Sequence, residues 1–388
     1  MQNILVVYGV IFCLAWWFMY GRIIRSIFSL SELGNIKSNE PDNWPSLNII
    51  IAACNEAGTI EQAIKSLLSQ DYPNLKIILV NDRSTDHTGK IIDHLAEDNR
   101  IIALHINELP EDWLGKVHAQ YVGLKEVDAE WVLFTDADIH FKTGALKKAV
   151  IYALEKKVDH LALMPDVVAK GYWLDVCIRT FGLLFLYSTR VHQLEKADTQ
   201  AVIGVGAFNL VKKSVLDKSK GIKWLRMEVA DDVGMGLLIK RAGGKSAFAM
   251  AQKCLSVAWY PSVAAMFAGL EKNLFGGGAH YQLSRLLVMV SLMWLFVFAP
   301  FITLLLDSPE WLSVFAMMTL LWLPVMMVIG KITSGARLST GLFIPLGILM
   351  ISLMFLRSGI MCTLRGGVVW RGTLYRTSKL KKYQRIKF

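Results

Sequence analysis

Cysteine is scarce here, five in 388 residues, and none of Cys13, Cys54, Cys177, Cys254 and Cys362 is paired at metal-site spacing. That excludes a disulfide framework and a cysteine zinc site, and it suits a reducing compartment. Charge is scarce too: 19% of residues are Asp, Glu, Lys or Arg, against 54% hydrophobic. The mean hydropathy of +0.40 is too high for an ordinary soluble chain of this length. No basic stretch precedes the first apolar run, residues 4–20, and no small-residue cleavage site ends it. Arg22 and Arg25 follow the run instead, so it is expected to remain as an N-terminal anchor whose far end faces the cytoplasm. Acid is absent from residues 357–388, which hold nine Lys or Arg. Much of the formal net charge of +10 sits in that tail, beside apolar segments. Such basicity points to anionic lipid headgroups and away from nucleic acid.

What is present divides the chain. Three further apolar runs, near 286–306, 311–330 and 339–356, lie toward the C-terminus. The expected organisation is a transmembrane anchor (1–25), a soluble domain (45–285), C-terminal membrane segments (286–356) and a basic cytoplasmic tail (357–388). The last apolar run is short and carries Pro345 and Gly347, so a re-entrant or interfacial path is expected for it.

Within the domain, strand and helix patterns alternate. Residues 47–53 read as a buried strand, and Ile60, Ala63, Ile64, Leu67 and Leu68 recur at helical spacing. Strands follow at 75–80, 101–105 and 131–135, with helices to about Glu97 and over 116–126. Alternation with short links implies an α/β fold, a mostly parallel sheet covered by helices on both faces. Ligands bind such sheets at the carboxyl ends of the strands. Polar groups fall there: Asn55 and Glu56 after the first strand, Asp82 after the second, Asp136 after the fourth.

The fourth strand runs into Asp136-Ala137-Asp138. In extended chain, residues two apart face one side, so both carboxylates can converge on one point. A pair of helix N-cap acids is one reading. The other is a hard divalent cation, Mg²⁺ or Mn²⁺, held with positions open to phosphate oxygens. Asp231 and Asp232 open a second acidic stretch ahead of an amphipathic pattern; acids there favour a helix N-terminus whether or not they do chemistry.

Four strings in order, PSLNIIIAACNE, LVNDRSTD, GKVHAQYVGL and VLFTDAD, resemble the family 2 glycosyltransferases, inverting enzymes with the GT-A fold. The resemblance covers roughly 45–275, and the flanking apolar segments are similar to membrane-bound members that glycosylate lipids. It implies that Asn55, Glu56 and Asp82 contact the nucleotide, that Lys116 lies near it, and that Asp136 and Asp138 hold the metal and diphosphate. It further implies that Asp232 is the base and Asp231 its companion, which an adjacent carboxylate suits by raising the base's pKa. Tyr121 stands where the family often has Asn. The Q/R-x-x-R-W string of processive synthases is missing; residues 269–275 read GLEKNLF.

The resulting expectation is a metal-dependent, multi-pass glycosyltransferase of the cell membrane with its domain in the cytoplasm. It would move one sugar from a nucleotide donor, a UDP-hexose, to a lipid-like acceptor. A processive polysaccharide synthase, or a scaffold with a nucleotide-sugar fold, are the alternatives. The apolar stretch 173–191 reads either as a core helix or as an interfacial helix that guides an amphiphile.

Overall fold

The computed structural model describes residues 2–36, 39–194, 199–306, 308–334 and 337–387. Helix α1 (Gln2–Phe28) leads through a short strand, β1 (Ser31–Glu32), into the domain. There β2 (Leu47–Ala53), α2 (Ile60–Leu68), β3 (Leu75–Asp82), α3 (Thr88–Leu95), β4 (Ile101–Ile106), α4 (Gly115–Leu124) and β5 (Trp131–Asp136) alternate as the sequence pattern requires. The chain continues through β6 (His140–Phe141), α5 (Ala145–Glu155), β7 (His160–Met164), β8 (Asp166–Val167) and α6 (Tyr172–Thr189). Next come β9 (Asn209–Lys212), α7 (Lys213–Lys218), α8 (Asp231–Arg241), β10 (Ser246–Met250), β11 (Leu255–Val257), α9 (Val263–Gly269) and α10 (Glu271–Ala279).

The main sheet has the order β1-β10-β7-β9-β5-β2-β3-β4, and only β9 runs against its neighbours. Side-chain alternation feeds two cores. Ile49, Ile51, Ile77, Leu79 and Leu133 pack on one face. Ile50, Ile78, Val80, Val132 and Phe134 pack on the other. Burial on both faces is why these strands read as unbroken apolar runs. Each such side chain contributes about 1.5–3 kcal/mol of burial, which fixes register firmly. That register matters for the site: Ala52 pairs with Asp136 and Ala53 with Asn81, so β5, β2 and β3 end side by side.

Beyond the domain lie α11 (Leu283–Leu305), α12 (Glu310–Ser334) and α13 (Ile344–Arg365). With α1 and the 3₁₀ turn preceding α13, they supply four segments long and apolar enough to cross a membrane. Trp16 stacks on Phe296 at 4.4 Å and donates its indole N–H to the Phe296 carbonyl at 2.8 Å. Leu14, Phe18, Leu292 and Leu321 stay exposed, the outward face of helices that are apolar all round.

α13 departs from expectation in extent. It starts after Phe343 and runs to Arg365, because Pro345 falls in its first turn, where a missing N–H costs nothing, and so begins the helix instead of breaking it. Ile344 and Ile348 pack with Met19, Tyr20 and Ile23 of α1 and with Leu323 and Met326 of α12. Gly359 sits against Leu286 at the start of α11.

The basic tail is folded. β12 (Gly367–Trp370) and β13 (Thr373–Arg376) form a hairpin, followed by α14 (Thr377–Tyr383). Some of its polar groups meet domain acids. Lys379 reaches Glu111 at 2.8 Å and Asp112 at 2.6 Å, and the Arg385 and Ile386 amides donate to the Glu228 carboxylate at 2.5 and 3.0 Å.

Candidate active site

The ends of β5, β2 and β3 present Asp136, Glu56 and Asp82 on one rim, as neighbouring strands about 4.8 Å apart must. Asp82 is buried and gripped by its neighbour: Arg83 donates Nε to Oδ1 at 2.8 Å and Nη2 to Oδ2 at 3.2 Å. Asn55, with φ of 57°, accepts on Oδ1 from the Thr85 amide at 2.8 Å, so its carbonyl shapes the loop after β3. The Glu56 carboxylate pairs with Arg371 at the tip of the C-terminal hairpin.

α4 and α8 bring the remaining groups. Lys116 Nζ lies 2.7 Å from Asp136 Oδ1 and 3.4 Å from Asp231 Oδ2, and Gln120 donates to that same Oδ2 at 3.2 Å. Asp232 accepts the Gly206 amide on Oδ2 at 3.0 Å and its neighbour Val233's amide on Oδ1 at 2.8 Å. Both acids therefore do sit at a helix N-terminus, as the plain reading of them required, and both also face the rim. The fit is close. A Cβ at Gly206 would lie 2.6 Å from Asp136 Oδ2, so only glycine lets this loop pass between Asp136 and Asp232.

The charges follow from this geometry. Burial alone would depress the Lys116 ammonium, but Asp136, Asp231 and Asp232 outweigh it and hold the group well above its ordinary range. Burial, then Asp231, push Asp232 up to about 6. Burial, then the charges of Asp136 and Glu56, push Asp138 up to about 6 as well. The positive charge between the acids is thus supplied to Asp136 by Lys116, while no ion pair reaches Asp138 among the described residues. No three His, Cys, Asp or Glu side chains there converge on one point either. Two carboxylates, one of them lacking a cation, fit a Mg²⁺ or Mn²⁺ whose other ligands come from water and a diphosphate.

Several groups at the site escaped the sequence reading. Lys272 of α10 is held 4.1 Å from the Trp370 ring of the hairpin and donates to Asn273 Oδ1 at 3.2 Å. Burial, then Lys116, lower its ammonium to about 8. Tyr375 accepts the Gly115 amide at 3.3 Å. Tyr260 feels the Asp138 charge, which adds to burial in raising its hydroxyl pKa. A signal for the hairpin existed: VVW and TLY alternate on either side of Arg371-Gly372, a two-residue turn with φ of 48° and 76°. Tyr121 packs against Trp113, with Lys125 and Lys223 over its ring.

Residues 48–220 match the model of glycosyl transferase family 2. That region, somewhat under half of the chain, is similar to family 2 glycosyltransferases. Over 141 residues, 35% of the chain, it is 30% identical to poly-β-1,6-N-acetyl-D-glucosamine synthase of Staphylococcus aureus, covering 32% of that protein. Over 123 residues, 32% of the chain, it is 32% identical to an uncharacterized glycosyltransferase of Haemophilus influenzae, covering 36% of it. The chain thus spans about a third of the length of these curated relatives. The solved structure of mannosyltransferase PcManGT from Pyrobaculum calidifontis, in complex with GDP-Man and Mn²⁺, superposes with a TM-score of 0.50 at 16% identity. That match covers 91% of this chain and 99% of that one, and it is a likeness of fold: the mostly parallel sheet is that of GT-A glycosyltransferases. The matched region contains Asn55, Glu56, Asp82, Lys116, Asp136 and Asp138, whereas Asp231, Asp232 and Lys272 lie beyond it.

Proposed function

We propose that the protein is an inverting glycosyltransferase that moves one sugar from a nucleotide-sugar donor, a UDP-hexose, to a lipid-like acceptor. The observation that carries this reading is the meeting of Asp136, Asp231 and Asp232 around Lys116 at the strand ends, with Asp232 pushed up to about 6. A carboxylate with that pKa is ionised at neutrality yet basic enough to accept a proton. In the proposed reaction the acceptor hydroxyl gives its proton to Asp232. Its oxygen bonds to the anomeric carbon from the side opposite the leaving group, and the diphosphate departs with the bonding electron pair. Asp231 raises the basicity of Asp232. Lys116 and Lys272 offset charge that develops on the diphosphate. Asp82 and Glu56 hold the ribose and base, and Asn55 orders the loop around them. Asp136 and Asp138 would hold Mg²⁺ or Mn²⁺, which supplies further positive charge at the leaving group.

Connectivity supports one membrane path. The hairpin touches Glu56 and Gly115, so it lies on the domain's side of the bilayer. If α11 and α12 cross as a pair, α13 does not cross, despite being long enough. We place α13 along the interface and the domain in the cytoplasm, with Arg22 and Arg25 on its side. α6 then lies where an amphiphile would approach. A second reading, repeated addition of sugars to a growing chain, draws support from the partial match to a polysaccharide synthase.

The test is to incubate membranes that carry the protein with labelled nucleotide sugars and to analyse the lipid extract by mass. A lipid heavier by one sugar, lost in Asp232→Asn, is the expected result. A ladder of additions would favour the synthase, and unlabelled lipid beside a labelled soluble product would overturn the lipid acceptor.

A further inference from the structure

A cavity of about 340 Å³ lies where the helical bundle meets the domain, away from the rim acids. Its apolar side is formed by Ile27, Leu183, Leu186, Met326 and Ile344, from α1, α6, α12 and α13. Its polar side carries Arg179, Lys253, Glu32 and Asn35. Glu32 is already engaged, since its Oε1 accepts the Gly34 and Lys253 amides at 3.3 Å each. Arg179 gives its Nε to Asp175 at 3.0 Å, and among the described residues its two terminal nitrogens have no partner. Among the described residues Lys253 gives its ammonium to the neutral side-chain carbonyl of Asn35, at 2.8 Å, and to no carboxylate. The polar end thus sets two cations beside two carboxylates, Glu32 and the Asp175 that pairs with Arg179, and its uncommitted donors are the Arg179 terminal nitrogens and the Lys253 ammonium.

The apolar end is underfilled. Gly182 interrupts a bulky helix, Phe181 to Tyr187, in which none of the residues is fully buried although α6 packs between α1 and α13. A Cβ built on Gly182 would meet no atom within 4 Å. One wall also leads toward the rim: Val167 lines the cavity and packs in the cluster that holds Trp259 and Tyr260, and Tyr260 feels the Asp138 charge.

We propose that this cavity holds the hydrocarbon chain of an anionic amphiphile whose phosphate sits on Arg179 and Lys253, and that this amphiphile is the acceptor. The shape is that of a lipid site, a volume within the range of small-molecule pockets with few polar groups at one end. A guanidinium fork and an ammonium suit a phosphate ester. The acceptor part of the proposal rests on the lipid-acceptor reading above; the binding part does not.

The full-length protein in maltoside micelles is titrated with dodecyl phosphate, dodecanol and inorganic phosphate while thermal unfolding is followed. Dodecyl phosphate should stabilise the wild type at the lowest concentration. Gly182→Leu, which fills the open space, should raise its half-saturating concentration at least about tenfold while UDP binding is kept. Lys253→Gln, an exposed position that tests the head end even if the first variant fails to fold, should weaken dodecyl phosphate about threefold and leave dodecanol unchanged. Equal stabilisation of wild type and Gly182→Leu, or an equal response to inorganic phosphate alone, overturns the site. The acceptor reading fails separately if Gly182→Leu loses dodecyl phosphate yet glycosylates the lipid extract at the wild-type rate.

Discussion

The rim of the candidate site and the groups facing it are built in opposite ways. The rim is acidic and comes from consecutive strands: Glu56, Asp82, Asp136 and Asp138 fall within 83 residues, each at or just past a strand end. The facing side is cationic and comes from afar: Lys272 from α10, and Trp370 and Arg371 from a hairpin that follows the last apolar helix. The sheet fixes the acids rigidly through buried strands, whereas the cations arrive on surface elements that dock onto them. The difference teaches that a buried sheet can place carboxylates closely, while counter-charge can be delivered by a separable part.

This contrast can be broken or sharpened by experiment. The largest effect should come from the rim and the helix acid that faces it. Asp232→Asn should lower transfer about 10²–10⁴-fold, the span of a lost general base, with UDP binding by calorimetry unchanged; transfer within threefold of wild type would remove Asp232 from the chemistry. Next, Asp138→Ala should weaken Mn²⁺ affinity by about tenfold or more, read by titrating the metal against donor hydrolysis. The facing cations should matter less. Lys272→Gln or Arg371→Ala should raise the donor KM about three- to tenfold, as loss of one charge-assisted contact does, with kcat changed less than in the rim variants.

The smallest effects concern pH. Asp232 must be ionised, so kcat/KM should rise as pH climbs through about 6. It should fall again as Lys272, lowered to about 8, loses its proton. Trp370→Ala should move only that upper limb, because the ring contact at 4.1 Å favours the ammonium. Stability runs the other way. Asp138 and Asp232 hold protons more tightly when folded than when unfolded, so the metal-free protein should lose stability as pH rises from about 4 to about 6. Mn²⁺ with UDP should flatten that fall; a flat profile without them would mean that neither carboxylate is perturbed.

Much of the rim was legible because parallel strands reveal both their apolar runs and the polar residues that end them. The run LNIIIAA spans β2 as expected, and Asp82 and Asp136 close β3 and β5. The facing side was not legible for two physical reasons. The tail's nine cations drew the reading toward lipid, whereas two of them, Arg371 and Lys379, meet complementary acids, Glu56, Glu111 and Asp112, elsewhere in the chain. Lys272 stood in a segment noted for lacking Arg and Trp; the indole it needed comes from Trp370, almost a hundred positions on. In α13, Pro345 was weighed as an interruption, whereas its place in the first turn makes it a beginning.

The late position of the hairpin has a consequence for biogenesis. Every rim acid is translated before α11, α12 and α13 leave the ribosome, yet Trp370 and Arg371 follow only after those apolar helices. A nascent chain therefore lacks one side of the candidate pocket until the last apolar helix has been made. Premature termination near residue 366 would leave the full set of carboxylates without the hairpin that faces them and without Val368, Tyr375 and Leu380 of the domain core.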